Sequence, residues 1–270
     1  MLDKMADDKT ILHIDMDAFY ASVEKNRKDL EGAVVVCVYS GRTENSGAVS
    51  TCSYEARELG IHAAMPITQA KDIAENSDQE VHFVGMDKEY YRSVSDRISE
   101  EVYDKYAEAI EQASIDEAYL ELDEDTDKAI EIAEKIQREV KEEFYLTCSI
   151  GVAPNKLVAK IASDREKPEG LTVVRDDEVQ DFMYGLEIDD IHGIGDITRE
   201  KLENLGINSV EDLAEAETAL LVEELGENFG VALKEKAQGK DSSEVKPQEQ
   251  KQITRITTLG ENSSIPSYIE

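Results

Sequence analysis

Apolar runs and amphipathic periods alternate along residues 1–175 of the chain. Buried strands are predicted where apolar and β-branched residues follow one another over about 4–8 positions, and helices where apolar residues recur with a period of about 3.6. The clearest amphipathic helix pattern covers residues 126–144. The pattern predicts strands at 10–14, 33–39, 49–51, 109–113, 118–122, 146–152, 171–174 and 252–259, and helices at 18–26, 54–59, 68–75, 88–106, 126–144 and 155–163.

A second pattern begins at residue 176, where the chain becomes helical with short loops that contain glycine. The earlier residues mix strands and helices, and neighbouring strands suit antiparallel pairing as well as crossovers, so the predicted fold class is α+β. Residues 239–250 are polar and charged, as in a linker. The strand pattern at 252–259 cannot form a sheet alone, so the end of the chain is expected to be a fragment of a further unit.

Composition narrows the classes of protein to which the chain can belong. Its 270 residues suit about two domains. Acidic residues number 61 and basic residues 29, which gives a net charge of −32, yet 40% of the residues are apolar and periodic, which excludes a disordered acidic tail. The longest apolar run, 33–39, is far shorter than the ~20 residues of a membrane-spanning helix, and the polar N-terminus does not resemble a secretion signal.

Cysteine usage and charge give two further expectations. Cys37, Cys52 and Cys148 are widely spaced and odd in number, which fits neither a disulfide framework nor a zinc site, so we expect a reducing, cytoplasmic compartment. On net charge alone a nucleic-acid partner ranks last, because phosphate binding normally requires a basic surface. Residues 146–175 reverse the sign, with five basic and three acidic residues, and this local reversal favours a phosphate site.

Two pairs of acidic residues lie where predicted strands end. Asp15 and Asp17 follow the first strand, and Asp116 and Glu117 lie between two later strands, flanked by apolar residues. With this composition, chance alone gives about 14 adjacent acidic pairs, so either pair by itself indicates little. An acid within a buried strand nevertheless costs several kcal/mol unless it is paired or binds a metal, and carboxylates are the ligands that hard cations such as Mg²⁺ prefer.

Five segments resemble, in order, those of the Y-family translesion DNA polymerases, in the branch similar to DNA polymerase IV. They are 12–24 (LHIDMDAFYASVE), 50–61 (STCSYEARELGI), 114–119 (SIDEAY), 149–163 (SIGVAPNKLVAKIAS) and 167–170 (KPEG). The resemblance extends over roughly residues 9–260. It implies template-directed, error-prone DNA synthesis past damage in DNA repair, in which a primer 3′-hydroxyl attacks the α-phosphorus of a dNTP.

The resemblance also implies a domain arrangement. Residues 1–18 and 86–175 would form a catalytic palm with an antiparallel or mixed sheet and packed helices, and residues 19–85 a small fingers insertion. Residues 176–240 would form an all-helical thumb with a helix-hairpin-helix. Residues 241–270 would be a linker and a stub of the family's fourth, little-finger domain, so the chain is expected to be C-terminally truncated relative to the family.

The resemblance assigns the metal and DNA contacts. Two Mg²⁺ ions would be held by Asp15, Asp116 and Glu117 together with the carbonyl of Met16, and these residues would be catalytic. Asp17 would cap the following helix or support the ligands. In the hairpin, the backbone at Gly193 and Gly195 would approach a DNA phosphate closely, as glycines allow, and His192 beside them would be structural.

The nucleotide-binding residues are assigned in the same way. Tyr20 matches the aromatic steric gate that leaves no room for a 2′-hydroxyl, and Phe19 would line the same sugar and base pocket. Tyr54 and Arg57 are three positions apart and so share one face of a predicted helix, where they would bind the β- and γ-phosphates. Thr51 would add a hydroxyl to this group, and Lys160 matches the family's triphosphate lysine.

The expected partners are primer–template DNA and dNTPs, and we expect a cytoplasmic monomer without membrane association. A sliding clamp would be a partner of a full-length relative, but no clamp-binding peptide is recognised here. Two alternatives remain: a non-catalytic or weakly active truncated DNA-binding remnant, and a palm-type nucleotidyl cyclase. The cyclase would need neither the helix-hairpin-helix nor the motifs Tyr54–Arg57 and Asn155–Lys160. The acid-rich composition is similar to that of proteins from salt-filled cytoplasm, so we expect a halophilic enzyme that works in concentrated KCl.

Overall fold

The computed structural model describes residues 9–40 and 46–247 of the chain. The strand predicted at 252–259 therefore lies outside the described residues. Within them, the chain divides into two compact units: one is formed by the residues up to Met16 and from Ile98 onward, and the other by Asp17–Arg97. None of the described helices is long and apolar enough to cross a membrane.

Strands and helices mix up to residue 173, and from there to residue 247 the structure contains helices only, which confirms the α+β prediction. The strands are β1 (Thr10–Met16), β2 (Ala33–Tyr39), β3 (Gly47–Cys52), β4 (Val81–Gly85), β5 (Ala109–Gln112), β6 (Glu117–Leu122), β7 (Cys148–Ala153) and β8 (Leu171–Val173). The helices are α1 (Phe19–Lys28), α2 (Tyr54–Glu58), α3 (Ile67–Glu75), α4 (Lys88–Glu101), α5 (Thr126–Phe144), α6 (Lys156–Arg165), α7 (Val179–Tyr184), α8 (Asp196–Asn204), α9 (Val210–Glu215), α10 (Thr218–Leu225) and α11 (Glu227–Ala237). Short 3-10 helices lie at Tyr103–Lys105, Asp176–Glu178 and Ile188–Asp190.

The first unit contains a mixed sheet with the strand order β5-β6-β1-β7-β8. β1 lies at its centre, antiparallel to β6 and β7, and β8 pairs with β7 in parallel. Every residue of β1 is buried. Burial on both faces explains why its sequence is an apolar run rather than an alternating pattern. The polar residues of such a strand are therefore the ones that need a structural or chemical partner.

Helix α6 lies against β7 at a glycine. A Cβ on Gly151 would come within 2.0 Å of the Ala159 carbonyl oxygen, so only glycine permits this close approach. Asn155 caps α6, because its Oδ1 accepts a hydrogen bond from Val158 N at 3.0 Å. Four apolar residues of α6 are buried against the sheet and its surroundings: Val158, Ala159, Ile161 and Ala162. The helix direction, and with it the position of Lys160, follows from this cap and this contact.

The second unit contains a three-stranded sheet with the order β3-β2-β4. β2 pairs with β3 in the antiparallel and with β4 in the parallel sense. The sequence pattern did not predict β4, because only Val84 of its five residues is buried and the apolar signal is weak. The helix predicted at 88–106 ends at Glu101, and a 3-10 turn follows it. Cys37 and Cys52 in this unit, and Cys148 in the first, are buried thiols.

The helices after residue 176 share a hydrophobic core with the sheet of the first unit. Leu202, Leu213 and Leu221 belong to the same buried cluster as Ile11 and Val158. The described segment that follows α11 also contacts this unit, since Asn155 Nδ2 donates to the Gly239 carbonyl oxygen at 2.8 Å. Both halves of the first unit thus form one packed body, and the boundary between palm and thumb at residue 176 stays a prediction.

Candidate active site

The residues predicted to hold metal lie at one end of the central strands. Asp15 on β1 is the direct register partner of Glu117, the first residue of β6. Asp116 precedes β6, and its carbonyl oxygen accepts a hydrogen bond from the backbone N–H of Met16 at 2.9 Å. The antiparallel pairing of β1 with β6 therefore places Asp15, Met16, Asp116 and Glu117 at one corner of the sheet.

Two lysines from one segment bind two of these carboxylates. Lys160 Nζ on α6 donates to Glu117 Oε2 at 2.7 Å. Lys167 Nζ, just beyond the end of α6, donates to Asp15 Oδ2 at 2.5 Å and lies 2.7 Å from Asp164 Oδ1. The third carboxylate accepts a hydrogen bond from a hydroxyl, Ser114 Oγ to Asp116 Oδ1 at 2.5 Å. Two basic side chains of the segment 146–175 thus contact predicted metal ligands directly.

Burial and these ion pairs move the pKa values of the two strand carboxylates in opposite directions. Burial raises the pKa of Asp15 to about 6, although Lys167 opposes the change. The imidazole of His13 and the ammonium of Lys160 outweigh burial at Glu117 and lower its pKa to about 2. The pKa of Lys167 is raised, because Asp15 and Asp164 outweigh its burial. Asp15 therefore gains or loses its charge near neutral pH, whereas Glu117 stays ionised.

The donor set suits a hard divalent cation in its chemistry. It offers carboxylate oxygens and a backbone carbonyl, which are the ligands that Mg²⁺ and Mn²⁺ prefer. Among residues 9–40 and 46–247, however, no group of three or more His, Cys, Asp or Glu side chains is arranged to hold a metal ion. In this arrangement an ammonium group occupies one oxygen of each strand carboxylate, Oδ2 of Asp15 and Oε2 of Glu117.

His13 is a residue of this corner that the sequence reasoning missed. It lies in the middle of β1 and is fully buried. Ser163 Oγ donates to the Lys160 carbonyl oxygen, so His13 Nδ1, 2.7 Å from Ser163 Oγ, is the donor in that contact. His13 Nε2 lies 3.8 Å from Glu117 Oε2, beyond hydrogen-bond distance. Burial lowers the pKa of His13, although the facing carboxylate of Glu117 opposes this change, and the ring links β1 to α6. The sequence signal that could have identified it is a histidine within the apolar run 10–14.

The second unit carries the predicted steric gate. Tyr20 lies on α1 and stacks on Tyr91 of α4, with ring centroids 4.5 Å apart and planes inclined by 18°. Tyr91 is fully buried and donates to Glu24 Oε1 at 3.0 Å. Phe19 is buried beside Tyr20, at a centroid distance of 5.9 Å. The Tyr20 ring is therefore supported by a second, hydrogen-bonded ring that sequence spacing could not reveal.

Three of the predicted phosphate-binding residues, Thr51, Tyr54 and Arg57, lie in the same unit. Ser53 caps α2 by accepting from Ala56 N, and α2 carries Tyr54 and Arg57. The Arg57 guanidinium lies 4.7 Å from the centre of the Tyr54 ring, as the three-residue spacing predicts. Tyr54 OH donates to Asp17 Oδ1 at 3.5 Å. Thr51 lies on the neighbouring strand β3.

The capping role predicted for Asp17 is wrong. The residue before α1 is Ala18, which adopts a left-handed conformation and forms no side-chain cap. Asp17 is almost fully buried, its carbonyl oxygen accepts from Ser22 Oγ, and its carboxylate faces Tyr54. Its function in the second unit is thus to hold α2 to the start of α1.

The predicted hairpin has the geometry that its glycines suggested. Gly193 has a φ of +109°, which favours glycine, and Gly195 is the N-cap of α8. Basic side chains near the hairpin bind other groups of the protein. Arg199 pairs with Asp189 and Asp196, and Lys236 Nζ donates to the His192 carbonyl oxygen at 2.9 Å. The groups left to face a phosphate here are backbone groups.

Comparison with known proteins identifies the family of the chain. Residues 14–164 match the model of the impB/mucB/samB family, and residues 176–207 match the helix-hairpin-helix motif of the same family. DNA polymerase IV of Methanosarcina acetivorans is 44% identical over 268 residues, which cover 94% of this chain and 72% of that relative. DNA polymerase IV of Metallosphaera sedula is 42% identical over 263 residues, with coverages of 94% and 72%.

Solved structures show the same likeness. The chain superposes on a structure described as an insertion ternary complex of Dbh DNA polymerase with a TM-score of 0.79 and 42% identity, covering 87% of this chain and 69% of that one. A Y-family chimera of Dbh and Dpo4 gives a TM-score of 0.82 and 41% identity, with coverages of 89% and 70%. The chain therefore belongs to the impB/mucB/samB family and is a DNA-directed, translesion DNA polymerase of the Y family, similar to DNA polymerase IV.

Proposed function

We propose that this polymerase extends a primer by Mg²⁺-dependent nucleotidyl transfer with Asp15, Asp116, Glu117 and the Met16 carbonyl as metal ligands. The observation that carries the proposal is the register pairing of Asp15 with Glu117, next to the hydrogen bond from Met16 N to Asp116. Two bound Mg²⁺ ions supply acidification of the primer hydroxyl and neutralisation of the triphosphate. The primer oxygen then forms a bond to the α-phosphorus as the bond to pyrophosphate breaks.

The remaining residues bind and orient the substrates in this proposal. Tyr20 excludes the 2′-hydroxyl of a ribonucleotide, and its support by Tyr91 keeps the ring in place. Phe19 lines the sugar pocket. Thr51, Tyr54 and Arg57 bind the β- and γ-phosphates. Lys160 is assigned separately as a triphosphate-binding lysine. Backbone N–H groups at Gly193 and Gly195 bind the DNA backbone.

We assign residues 1–18 and 86–175 to the palm, 19–85 to the fingers and 176–240 to the thumb. The substrates are primer–template DNA and dNTPs, on which the enzyme acts as a monomer in the cytoplasm. Low fidelity and bypass of damaged bases accompany this assignment. The likeness to structures described as an insertion ternary complex and a post-insertion binary complex of Dbh supports these partners.

Primer extension by the Asp116→Ala variant tests the metal assignment. We expect synthesis on undamaged and abasic templates to be lost, with circular dichroism and thermal unfolding unchanged. Asp123→Ala is the matched control, because Asp123 is an exposed acid just beyond the end of β6. Synthesis retained by Asp116→Ala would remove this residue from the site, and absence of synthesis by the unmodified chain would favour the non-catalytic alternative.

Sugar selection tests the gate. Tyr20→Ala should raise incorporation of ribonucleotides relative to deoxyribonucleotides, whereas Tyr20→Phe keeps the ring and should leave the preference unchanged. Steady-state kcat/KM for dATP and ATP measures both variants. An unaltered preference in Tyr20→Ala would show that another side chain excludes the 2′-hydroxyl.

We also propose that the enzyme works in concentrated KCl. The net charge of −32 opposes DNA binding at low salt, and at 1 M salt the Debye length falls to about 3 Å, which screens long-range repulsion. Primer extension should therefore increase from about 50 mM to about 2 M KCl, in contrast to the usual weakening of protein–DNA contacts by salt. An optimum at the low end of this series would contradict the proposal.

A further inference from the structure

Lys167 belongs to a segment, 167–170, that matched the family but received no function from the sequence. Its ammonium contacts two carboxylates at once, Asp15 Oδ2 at 2.5 Å and Asp164 Oδ1 at 2.7 Å. The two partners differ in exposure: the Asp15 side chain is 13% exposed and that of Asp164 is 53% exposed. The lysine thus joins a buried carboxylate of the proposed metal site to one at the surface of α6.

A second lysine pairs with the neighbouring proposed ligand, Glu117. Lys160 binds Glu117 at 2.7 Å, and Lys160 and Lys167 lie seven residues apart in one segment. Two negative charges at the corner of the sheet are therefore balanced by two ammonium groups. Without them, Asp15 and Glu117, which are direct register partners, would repel each other in a partly buried environment.

An ammonium and a divalent metal ion compete for the same carboxylate group, because both are cations that repel each other when they contact it together. Release of Lys167 from Asp15 does not expose an unpaired charge, because Asp164 already holds the same ammonium. This second anchor distinguishes Lys167 from an ordinary ion pair. It provides a position for the lysine after Asp15 has been taken by another cation.

We propose that Lys167 is a built-in cation that neutralises Asp15 in the metal-free enzyme and shifts onto Asp164 when a divalent metal binds Asp15. The proposal rests on the assignment of Asp15 as a metal ligand. Lys167 keeps the carboxylates compatible with the fold before metal arrives, at the cost of a lower metal affinity. Asp164 is a positioning residue for the lysine and contacts no substrate.

Direct Mn²⁺ binding tests the proposal without DNA, dNTP or turnover. Free Mn²⁺ is measured by electron paramagnetic resonance in about 1 M KCl, under argon and at about pH 8.5, so that Asp15 is ionised in every variant. The same titration with Asp15→Asn added to each variant gives the background from the acidic surface. The difference between the two titrations is binding that requires Asp15.

Two substitutions should move Mn²⁺ affinity in opposite directions. Lys167→Met should tighten Asp15-dependent binding about three- to tenfold, because the competing cation is gone. Asp164→Asn should weaken it, because the ammonium then remains on Asp15. Matched controls are Lys141→Met, which removes an exposed lysine paired with Glu169, and Glu166→Gln, which removes an exposed acid two residues after Asp164. Neither control should change the affinity.

The outcomes separate this inference from the proposed function. Unchanged or weaker binding in Lys167→Met, or tighter binding in Asp164→Asn, would overturn the proposal while leaving Asp15 a ligand. If Asp15→Asn removes no binding from the unmodified chain, the metal assignment itself fails. Should Lys167→Met not fold, as judged by circular dichroism, the weakening by Asp164→Asn decides the question, since that residue is exposed and its loss leaves the core unchanged.

Discussion

Two consecutive stretches of the chain, residues 146–175 and 176–230, differ sharply in charge. The first carries five basic and three acidic residues, and the second carries 17 acidic residues against Arg199 and Lys201. In both stretches the basic side chains form ion pairs, but with different kinds of partner. Lys160 and Lys167 bind carboxylates of the proposed metal site, whereas Arg199 and Lys201 bind acids of their own helical region.

The difference teaches that local charge locates the site and net charge does not. The lysines of the first stretch neutralise proposed metal ligands. In the proposals above, metal binding releases Lys160 toward the proposed triphosphate site and shifts Lys167 onto Asp164. The cations of the second stretch pair with acids of their own helical region, so the proposed DNA contact of the hairpin rests on its backbone groups. The net charge of −32 is a sum over the whole chain, so it gives no indication of the short segment 146–175, whose charge has the opposite sign.

The largest effect should come from filling the glycine contact in the first stretch. Gly151→Ala places a Cβ 2.0 Å from the Ala159 carbonyl oxygen and 2.6 Å from Ser163 N, so α6 must move away from the sheet. We expect a loss of about 3 kcal/mol or more in the free energy of unfolding, measured by urea denaturation. In the second stretch, a Cβ on Gly195 has no described neighbour within 4 Å, so Gly195→Ala should keep its stability.

Gly195→Ala also sharpens the assignment of the hairpin. If the backbone there approaches a DNA phosphate, the added methyl should weaken primer–template binding while the free energy of unfolding stays the same. Fluorescence anisotropy with labelled DNA measures this. Full DNA affinity in Gly195→Ala would place the DNA contact elsewhere, and a stable Gly151→Ala would show that α6 can shift without loss.

Replacing one lysine in each stretch should give the next largest difference, in kcat/KM for dNTP. Lys160→Met should lower kcat/KM for dNTP about 30- to 100-fold, because it removes a charge that faces Glu117 and the proposed triphosphate site. Lys201→Met should change it less than about twofold, because Lys201 pairs with Glu224 in an exposed contact worth little. Equal losses in the two variants would contradict the distinction between the stretches.

Much of the fold followed from periodicity, because long elements carry their own signal. The helix predicted at 126–144 is α5 with the same ends, since one face of it is buried and Asp125 caps it. The sequence pattern did not predict β4, because four of its five residues are only partly buried or exposed. Its pairing with β2 joins residues that are distant in sequence. Long-range pairing leaves no local pattern to read.

The site was predictable to a similar extent. The matched segments pointed to Asp15, Asp116 and Glu117, and the register of β1 with β6 brings their strands together. What sequence could not supply were the partners: Lys167 for Asp15, Ser163 for His13 and Tyr91 for Tyr20. Each of these contacts depends on how separate elements pack, which spacing within one segment does not encode.

The two stretches should respond differently to pH, because protons compete with Mn²⁺ for the Asp15 carboxylate. Burial raises the pKa of Asp15 to about 6, whereas hydrogen bonds from the backbone of Asn208 and from Ser209 lower that of Asp212 in the second stretch. Asp15-dependent Mn²⁺ affinity should therefore fall about tenfold between pH 7.5 and pH 5. Because the folded protein holds this proton more tightly than the unfolded chain, the same group should stabilise the metal-free fold as the pH falls from about 6 toward 3.8. A flat affinity down to pH 5 would mean that the Asp15 pKa is not raised.

The smallest contrast is between two helix caps. In the first stretch, Asn155 caps α6 and also donates to the Gly239 carbonyl oxygen at 2.8 Å, so it joins the helix that carries Lys160 to the segment after α11. In the second stretch, Ser209 accepts from Asp212 N at 3.0 Å and caps only α9. Urea denaturation should show a loss of about 1.5–2 kcal/mol for Asn155→Ala and about 1 kcal/mol for Ser209→Ala. A larger loss at Ser209 would show that α6 is held by its contact at Gly151 and not by its cap.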